Sequence, residues 1–321
     1  MNNKERLNQS AKTKSLYQFF KDNSFLVSEE VKLKPNYSKG KESPWSLSFA
    51  GHCLKDVFAI NNPVFCAKYA EAISGDGQEA NKITTLHSSS LASLLLFYSV
   101  SEKNPIYFMI NNQLERFTES RFEVKNEVHQ GSNNYSNVDV VLYGDNCILY
   151  LESKFSEYLG SGAVEVREVD YYDRIYDRLS ATLKEAGLHL VNKDGKRYLD
   201  SIDGKTFYCE GIKQMISHFL GVSTEIIMGR INNEGKRIVL GEIFFNFGDK
   251  VPRCNKKYNS YKDAYATLKE GLQHCAEEDK SGLLINDLTT YQCVLGIKQN
   301  EAFLNKLPDR VREFYCLNCL L

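Results

Sequence analysis

Asp139, Glu152 and Lys154 are the residues whose types and spacing could do chemistry. They sit in two short apolar segments, SNVDVVLY (136–143) and CILYLESKF (147–155), joined by Gly144-Asp145-Asn146. Residues two apart on a strand share a face, so Glu152 and Lys154 point one way and Ser153 the other. If the connecting turn is tight, residues whose numbers sum to 291 lie opposite each other, and Asp139 faces Glu152. Opposed side chains on neighbouring strands are about 5 Å apart at Cβ. Two carboxylates and one ammonium then converge on one patch. Val138, Val140, Val141, Leu142, Ile148, Leu149 and Leu151 make both segments apolar on both faces, as in central strands. Charges are expensive there unless paired or metal-bound. Facing carboxylates suit a divalent cation such as Mg²⁺, which takes oxygen ligands and keeps several waters. Such an ion polarises a phosphoryl oxygen and acidifies a bound water, and a neighbouring lysine stabilises developing negative charge.

The elements that must position these residues are readable around them. FEVKNEVHQ (122–130) alternates with period two, and GSNN (131–134) is a turn signal, so three strands form an antiparallel meander. Glu123 and Glu127 lie on its first strand. With a five-residue turn Glu127 faces Asp139, which makes it the expected third acidic ligand. Residues 14–30, 63–74 and 83–100 carry helical patterns, and 31–50 read as loop because Pro35, Gly40 and Pro44 interrupt them. After the meander, 164–186 are helical, 187–208 a loop or small hairpin, and 209–221 a compact helix stopped by Gly221. A strand follows at 237–247 and a helix at 260–276. The helix over 209–221 places Gln214 and His218 four apart, hence on one face.

Asp139…Glu152-Ser153-Lys154 resembles the Asp…Glu-x-Lys signature of the PD-(D/E)xK nuclease superfamily, with Val138 in place of the usual proline. Gln214 and His218 are similar to the Gln-x₃-Tyr helix of several of its branches, with histidine replacing tyrosine. LYLESKFSEYL and KQMISHFLGV together resemble a bacterial family of restriction endonucleases, over roughly residues 84–247. The resemblance implies an α/β (mixed α+β) fold with a restriction-endonuclease-like core, a central mixed β-sheet flanked by helices. It implies one domain, with a catalytic core at 83–248, a helical elaboration at 1–82 and another at 249–321. It further implies Mg²⁺-dependent hydrolysis of DNA, with Mn²⁺ as a substitute. Asp139, Glu152 and Glu127 would hold the metal, while Lys154 and Gln214 would assist catalysis and His218 would support the site or touch DNA. The alternatives are a repair-type exonuclease and a non-cutting binding module with the same fold.

The bulk properties constrain this reading. The chain has 321 residues with net charge −1, so any attraction for nucleic acid must be local. Residues 250–262 (KVPRCNKKYNSYK), with Lys256 and Lys257, form a basic stretch suited to a DNA backbone, expected here as a loop. Nine cysteines at irregular spacing fit a reduced, cytoplasmic protein, and Cys316/Cys319 lacks a matching second pair for a structural zinc site. No glycine-rich phosphate loop and no serine–histidine–acid set is visible. A single tryptophan, Trp45, argues against a glycosidase groove. DNA is the expected partner, no membrane is expected, and a homodimer is one admissible assembly.

Overall fold

The apolar strands that carry Asp139 and Glu152 lie in the middle of the sheet. In the computed structural model, which describes residues 33–38, 41–49, 63–74, 89–155, 162–202, 208–245 and 252–296, they are β5 (Tyr135–Gly144) and β6 (Cys147–Lys154). Every residue of β6 is buried. β5 and β6 are antiparallel, and all their pairs, from Tyr143 with Ile148 to Val140 with Leu151, sum to 291 as expected. On the other side of β5 runs β4 (Gln113–Glu127), itself antiparallel to the edge strand β3 (Ile106–Ile110). β10 (Arg237–Phe244) lies parallel to β6, and two short strands, β11 (Leu284–Ile285) and β12 (Thr289–Thr290), lie parallel to β10. The order is β11-β10-β6-β5-β4-β3, a mixed sheet flanked by helices, as the sequence implies.

The meander has four strands rather than three. Sequence patterning left 101–121 unassigned, and within its β4 part the polarity is inverted. Leu114 is 54% exposed while Glu115 is 4% exposed and ion-paired with Arg237. A buried, paired charge masks the alternation that identifies a strand.

Helix α1 (Pro63–Ala72) packs on β4, and α2 (Ser89–Phe97) packs on β5 and β6. α1 begins where its helix was expected, and α2 lies within the expected 83–100; 14–30 and 83–88 lie outside the described residues. Residues 33–38 and 41–49 form a hairpin of strands β1 and β2 where a loop was expected. Trp45, Leu47 and Phe49 alternate with serines there, a period-two signal that Pro35, Gly40 and Pro44 obscure. Between β6 and β10 come β7 (Val164–Glu165), α3 (Asp170–Arg178), α4 (Ser180–Glu185), the hairpin β8 (Leu188–Lys193) and β9 (Lys196–Ser201), and the long helix α5 (Cys209–Ile227). α6 (Pro252–Glu278) begins with proline in its first turn, where a missing N–H costs nothing. The basic stretch 250–262 is therefore mostly helix.

Gly221 is not the stop of α5. The helix runs on to Ile227 and ends at Gly229, whose φ of +65° suits a C-terminal glycine. Gly221 instead lets α5 approach the sheet: a Cβ there would collide with Ser136 Oγ and lie 3.0 Å from Asn126 Cβ. Gly221→Val is expected to destabilise the fold by about 1–3 kcal/mol through overpacking, despite valine's better helix propensity. Urea denaturation would show it; an unchanged midpoint would mean that the contact is not tight.

Candidate active site

Asp139 lies one residue beyond the last β5–β6 pair, Val140 with Leu151, so it is not a ladder partner of Glu152. Its Oδ2 accepts the backbone N–H of Ser153 at 2.8 Å, so the side chain takes over where strand pairing ends. The neighbouring Glu152 and Lys154 are 2% and 3% exposed and form an ion pair. Lys154 Nζ also donates to Gln214 Oε1 at 2.7 Å. α5 thus presents Gln214 and, one turn on, His218 to the strand face that carries Asp139 and Glu152. His218 Nε2 lies 2.9 Å from Glu152 Oε2, an ion-pair contact that holds the carboxylate from the helix side. On the reverse face the Ser153 hydroxyl bonds the Tyr291 hydroxyl, which anchors the strand from below.

These residues meet at a cleft of about 350 Å³. Asp139, Glu152, Gln214 and His218 line it; Lys154 reaches it through its partners Glu152 and Gln214.

Glu127 lies elsewhere, and its expected role as a ligand is corrected by the register. Seven residues separate β4 from β5, so paired numbers sum to 262 and Glu127 faces Tyr135. It is ion-paired with Arg230 at 2.5 Å and accepts the Gly131 N–H at 2.7 Å. Arg230 and then the Gly131 amide hold its carboxyl below the usual range against partial burial. The same register puts Glu123 opposite Asp139, and Glu123 lines the cleft. Its φ of +50° inside a strand is costly for a residue with a Cβ, a strain that tends to collect at functional sites. Lys257 is half-buried and does not line the cleft; the Lys256 side chain lies outside the described residues, as do Cys316 and Cys319.

Sequence reasoning missed Glu242. It pairs in register with Glu152 across β10 and is fully buried, with Tyr261 donating to its Oε2 at 2.8 Å and Oε1 left without a partner. Its signal was the same as that of Glu152, one acid inside an apolar strand (RIVLGEIFF). Burial raises its carboxyl to about 8, against the attraction of Lys154 and the Tyr261 hydroxyl. The raised value means that the folded chain holds a proton the unfolded chain has released above pH 4.5. Stability linked to Glu242 is therefore greatest at low pH and declines as pH rises from about 4.5 to about 8. In chelator, the wild type should lose stability relative to Glu242→Gln over this window, by up to about 1.4 kcal/mol per pH unit. Parallel urea-midpoint curves for the two proteins would rule this out.

The electrostatics leave the cleft short of positive charge. Burial favours the neutral form of Glu152, but Lys154 and then His218 outweigh it and hold the carboxylate down to about 2. Asp139 is driven the opposite way: burial and then the Glu152 charge raise it well above the carboxylate range, Glu123 adds to this, and Lys154 and the Ser153 amide oppose it. A divalent cation fits this set. It would offset the repulsion between Asp139 and Glu152 and could draw on Glu152 Oε2, which is ion-paired with His218. Among the described residues no three His, Cys, Asp or Glu side chains are clustered as a ready metal cage. Two carboxylates completed by waters are the way a hydrated Mg²⁺ is usually held.

Among the described residues no helix is long and apolar enough to cross a membrane. Comparison with curated proteins and with solved structures finds no match. The sequence does match a family described as restriction endonuclease associating with ARP, over residues 14–201. The matched segment contains Asp139, Glu152 and Lys154 and ends before Gln214. It covers more than half of the chain, and the central mixed sheet flanked by helices is consistent with a restriction-endonuclease-like core. The chain belongs to this restriction-endonuclease family.

Proposed function

We propose that the protein is a Mg²⁺-dependent nuclease that hydrolyses DNA phosphodiester bonds at the Asp139–Glu152–Lys154 cleft. The observation that carries this reading is the convergence of a half-buried Asp139 and a buried Glu152, of opposite electrostatic fate, beside one lysine in a chain of restriction-endonuclease family. Asp139 and Glu152 would hold the cation. When bound, Mg²⁺ supplies Lewis-acid polarisation of a phosphoryl oxygen and eases deprotonation of a water.

The chain's own residues do the rest. Lys154 fixes Glu152 and places positive charge beside the phosphate, where negative charge develops in the transition state. Gln214 holds the lysine through its Oε1. His218 restrains Glu152 from the helix side. Glu123 sits opposite Asp139 and is a further oxygen donor within the cleft. Arg167 and Lys213 also line the wall, with Lys213 paired to Glu210 at 3.2 Å. Gln214→Leu removes the acceptor for Lys154 and should lower the cleavage rate about 10- to 100-fold, the usual range for a residue that orients a site from behind. Gel-based single-turnover kinetics would read it, and an unchanged rate would remove Gln214 from the site.

Supercoiled plasmid with Mg²⁺, Mn²⁺ or a chelator tests the function itself. Relaxed or linear product with either metal, absent in chelator and absent for Asp139→Ala, is expected. If plasmid, linear duplex and single-stranded DNA all stay intact with both metals, the hydrolytic reading fails, and salt-dependent DNA binding without cleavage would favour a binding module. The role of association with ARP, which the family's description names, and cytoplasmic location belong to the same proposal.

A further inference from the structure

The cleft extends well past the carboxylates. Tyr135, Asn137 and Asp139 share one face of β5, and a strand rises about 3.3 Å per residue, so Asn137 sits about 7 Å and Tyr135 about 13 Å along the strand from Asp139. Both line the cleft, together with Tyr172 and Tyr176 from successive turns of α3. This end is aromatic, and Arg167 and Glu210 line the same cleft.

Two of its polar groups are unsatisfied. Asn137 Oδ1 and the Tyr176 hydroxyl are buried with no hydrogen-bond partner, and Tyr176 is 1% exposed. Tyr172 is accounted for, since its hydroxyl bonds Ser217 Oγ at 2.7 Å. Buried polar groups without partners are rare, and such groups lining a cleft point to a ligand that completes them. Tyr135, which also lines the cleft, is 50% exposed. A cleft of about 350 Å³ matches a small organic ligand and not a double helix.

We propose that this end receives one unpaired nucleotide of the DNA strand being cut, its base stacked on Tyr135 and hydrogen-bonded by Asn137 and Tyr176. The proposal rests on the nuclease reading, with the adjoining phosphate at Asp139 and Glu152. It names the substrate class: single-stranded or locally opened DNA. Extruding a base into a fitted pocket costs least where pairing is already lost, and stacking on an aromatic ring is tolerant of sequence.

Fluorescence anisotropy in chelator tests this without cleavage, using a labelled oligodeoxynucleotide either single-stranded or annealed to its complement. The single strand should bind about tenfold more tightly than the duplex. Tyr135→Ala and Asn137→Ala should each weaken single-strand binding about tenfold, in line with one lost stacking or base contact, and duplex binding by less than about twofold. Tyr176→Phe removes one hydroxyl only, so its melting temperature should hold while single-strand affinity drops several-fold. Equal affinity for the two forms, absence of binding to either, or indifference to all three substitutions would overturn the proposal. Parallel cleavage assays with Mg²⁺ separate the two ideas. Cleavage without strand preference removes only the nucleotide pocket, and strand preference without cleavage removes only the hydrolytic reading.

Discussion

Asp139→Asn is expected to lower metal-dependent DNA cleavage by at least about 10³-fold while leaving the fold as stable as before, or more stable. The activity loss follows from removing an anionic ligand where a cation must polarise the phosphate, an effect worth several kcal/mol of transition-state stabilisation. The stability effect follows from the protonation balance. Burial and the Glu152 charge raise the Asp139 carboxyl well above its usual range, so without a cation its ionised form is a burden on the fold. Asparagine keeps an oxygen that can accept the Ser153 N–H, now held at 2.8 Å by Oδ2. A thermal melt in chelator should therefore show an equal or higher transition temperature beside a dead enzyme. A variant that is both inactive and markedly less stable would mean that Asp139 is part of the scaffold instead.

Glu152→Ala should behave differently. It removes the carboxylate that faces Lys154 and leaves a buried ammonium undercompensated, at 3% exposure. Breaking a buried pair from one side typically costs about 3–5 kcal/mol, whereas replacing both partners with apolar residues is often close to neutral. Glu152→Ala is therefore expected to lose about that much stability as well as all activity. The double variant Glu152→Leu/Lys154→Met should recover most of the stability and none of the activity. The pH dependence has a definite sign. The folded Glu152 carboxyl is depressed to about 2, so its contribution is fully present above about pH 4.5 and is lost as pH falls toward 2. Urea denaturation of the wild type and both variants measures all three. If the double variant is as unstable as the single one, the pair is not what limits stability there.

The contrast between these residues shows what was legible in the sequence. The β5–β6 register could be read from residue numbers alone because the hairpin is tight and both strands are apolar on both faces. A one-residue slip would have placed Glu152 on the opposite face, so the hydrophobic pattern and the turn had to agree. The neighbouring register could not be read this way. The connection from β4 to β5 is longer, and a change of four in the paired sum moves Asp139 from Glu127 to Glu123. Sequence shows that a turn exists there, not how many residues it uses. Glu242 was missed for another reason: its strand is parallel to β6 and distant in sequence, so no hairpin arithmetic links it to Glu152. Gly221 carried the composition of a helix stop, while its actual role depends on Ser136 and Asn126, which only tertiary packing brings beneath it. Gln214 and His218 were legible because a spacing of four is intrinsic to a helix, and the strand face that they meet was already defined.

Asp139 and Glu152 are proposed to make one divalent-cation site. Mn²⁺ titration followed by electron paramagnetic resonance of the free ion tests it most directly, with wild type, Asp139→Asn and Gly221→Val as a substitution outside the site. The account predicts that wild type and the folded Gly221→Val protein deplete free Mn²⁺ and that Asp139→Asn does not, with Mg²⁺ competing for the same ions. Equal Mn²⁺ uptake by wild type and Asp139→Asn, or no uptake by the wild type at concentrations that saturate ordinary carboxylate sites, would contradict it.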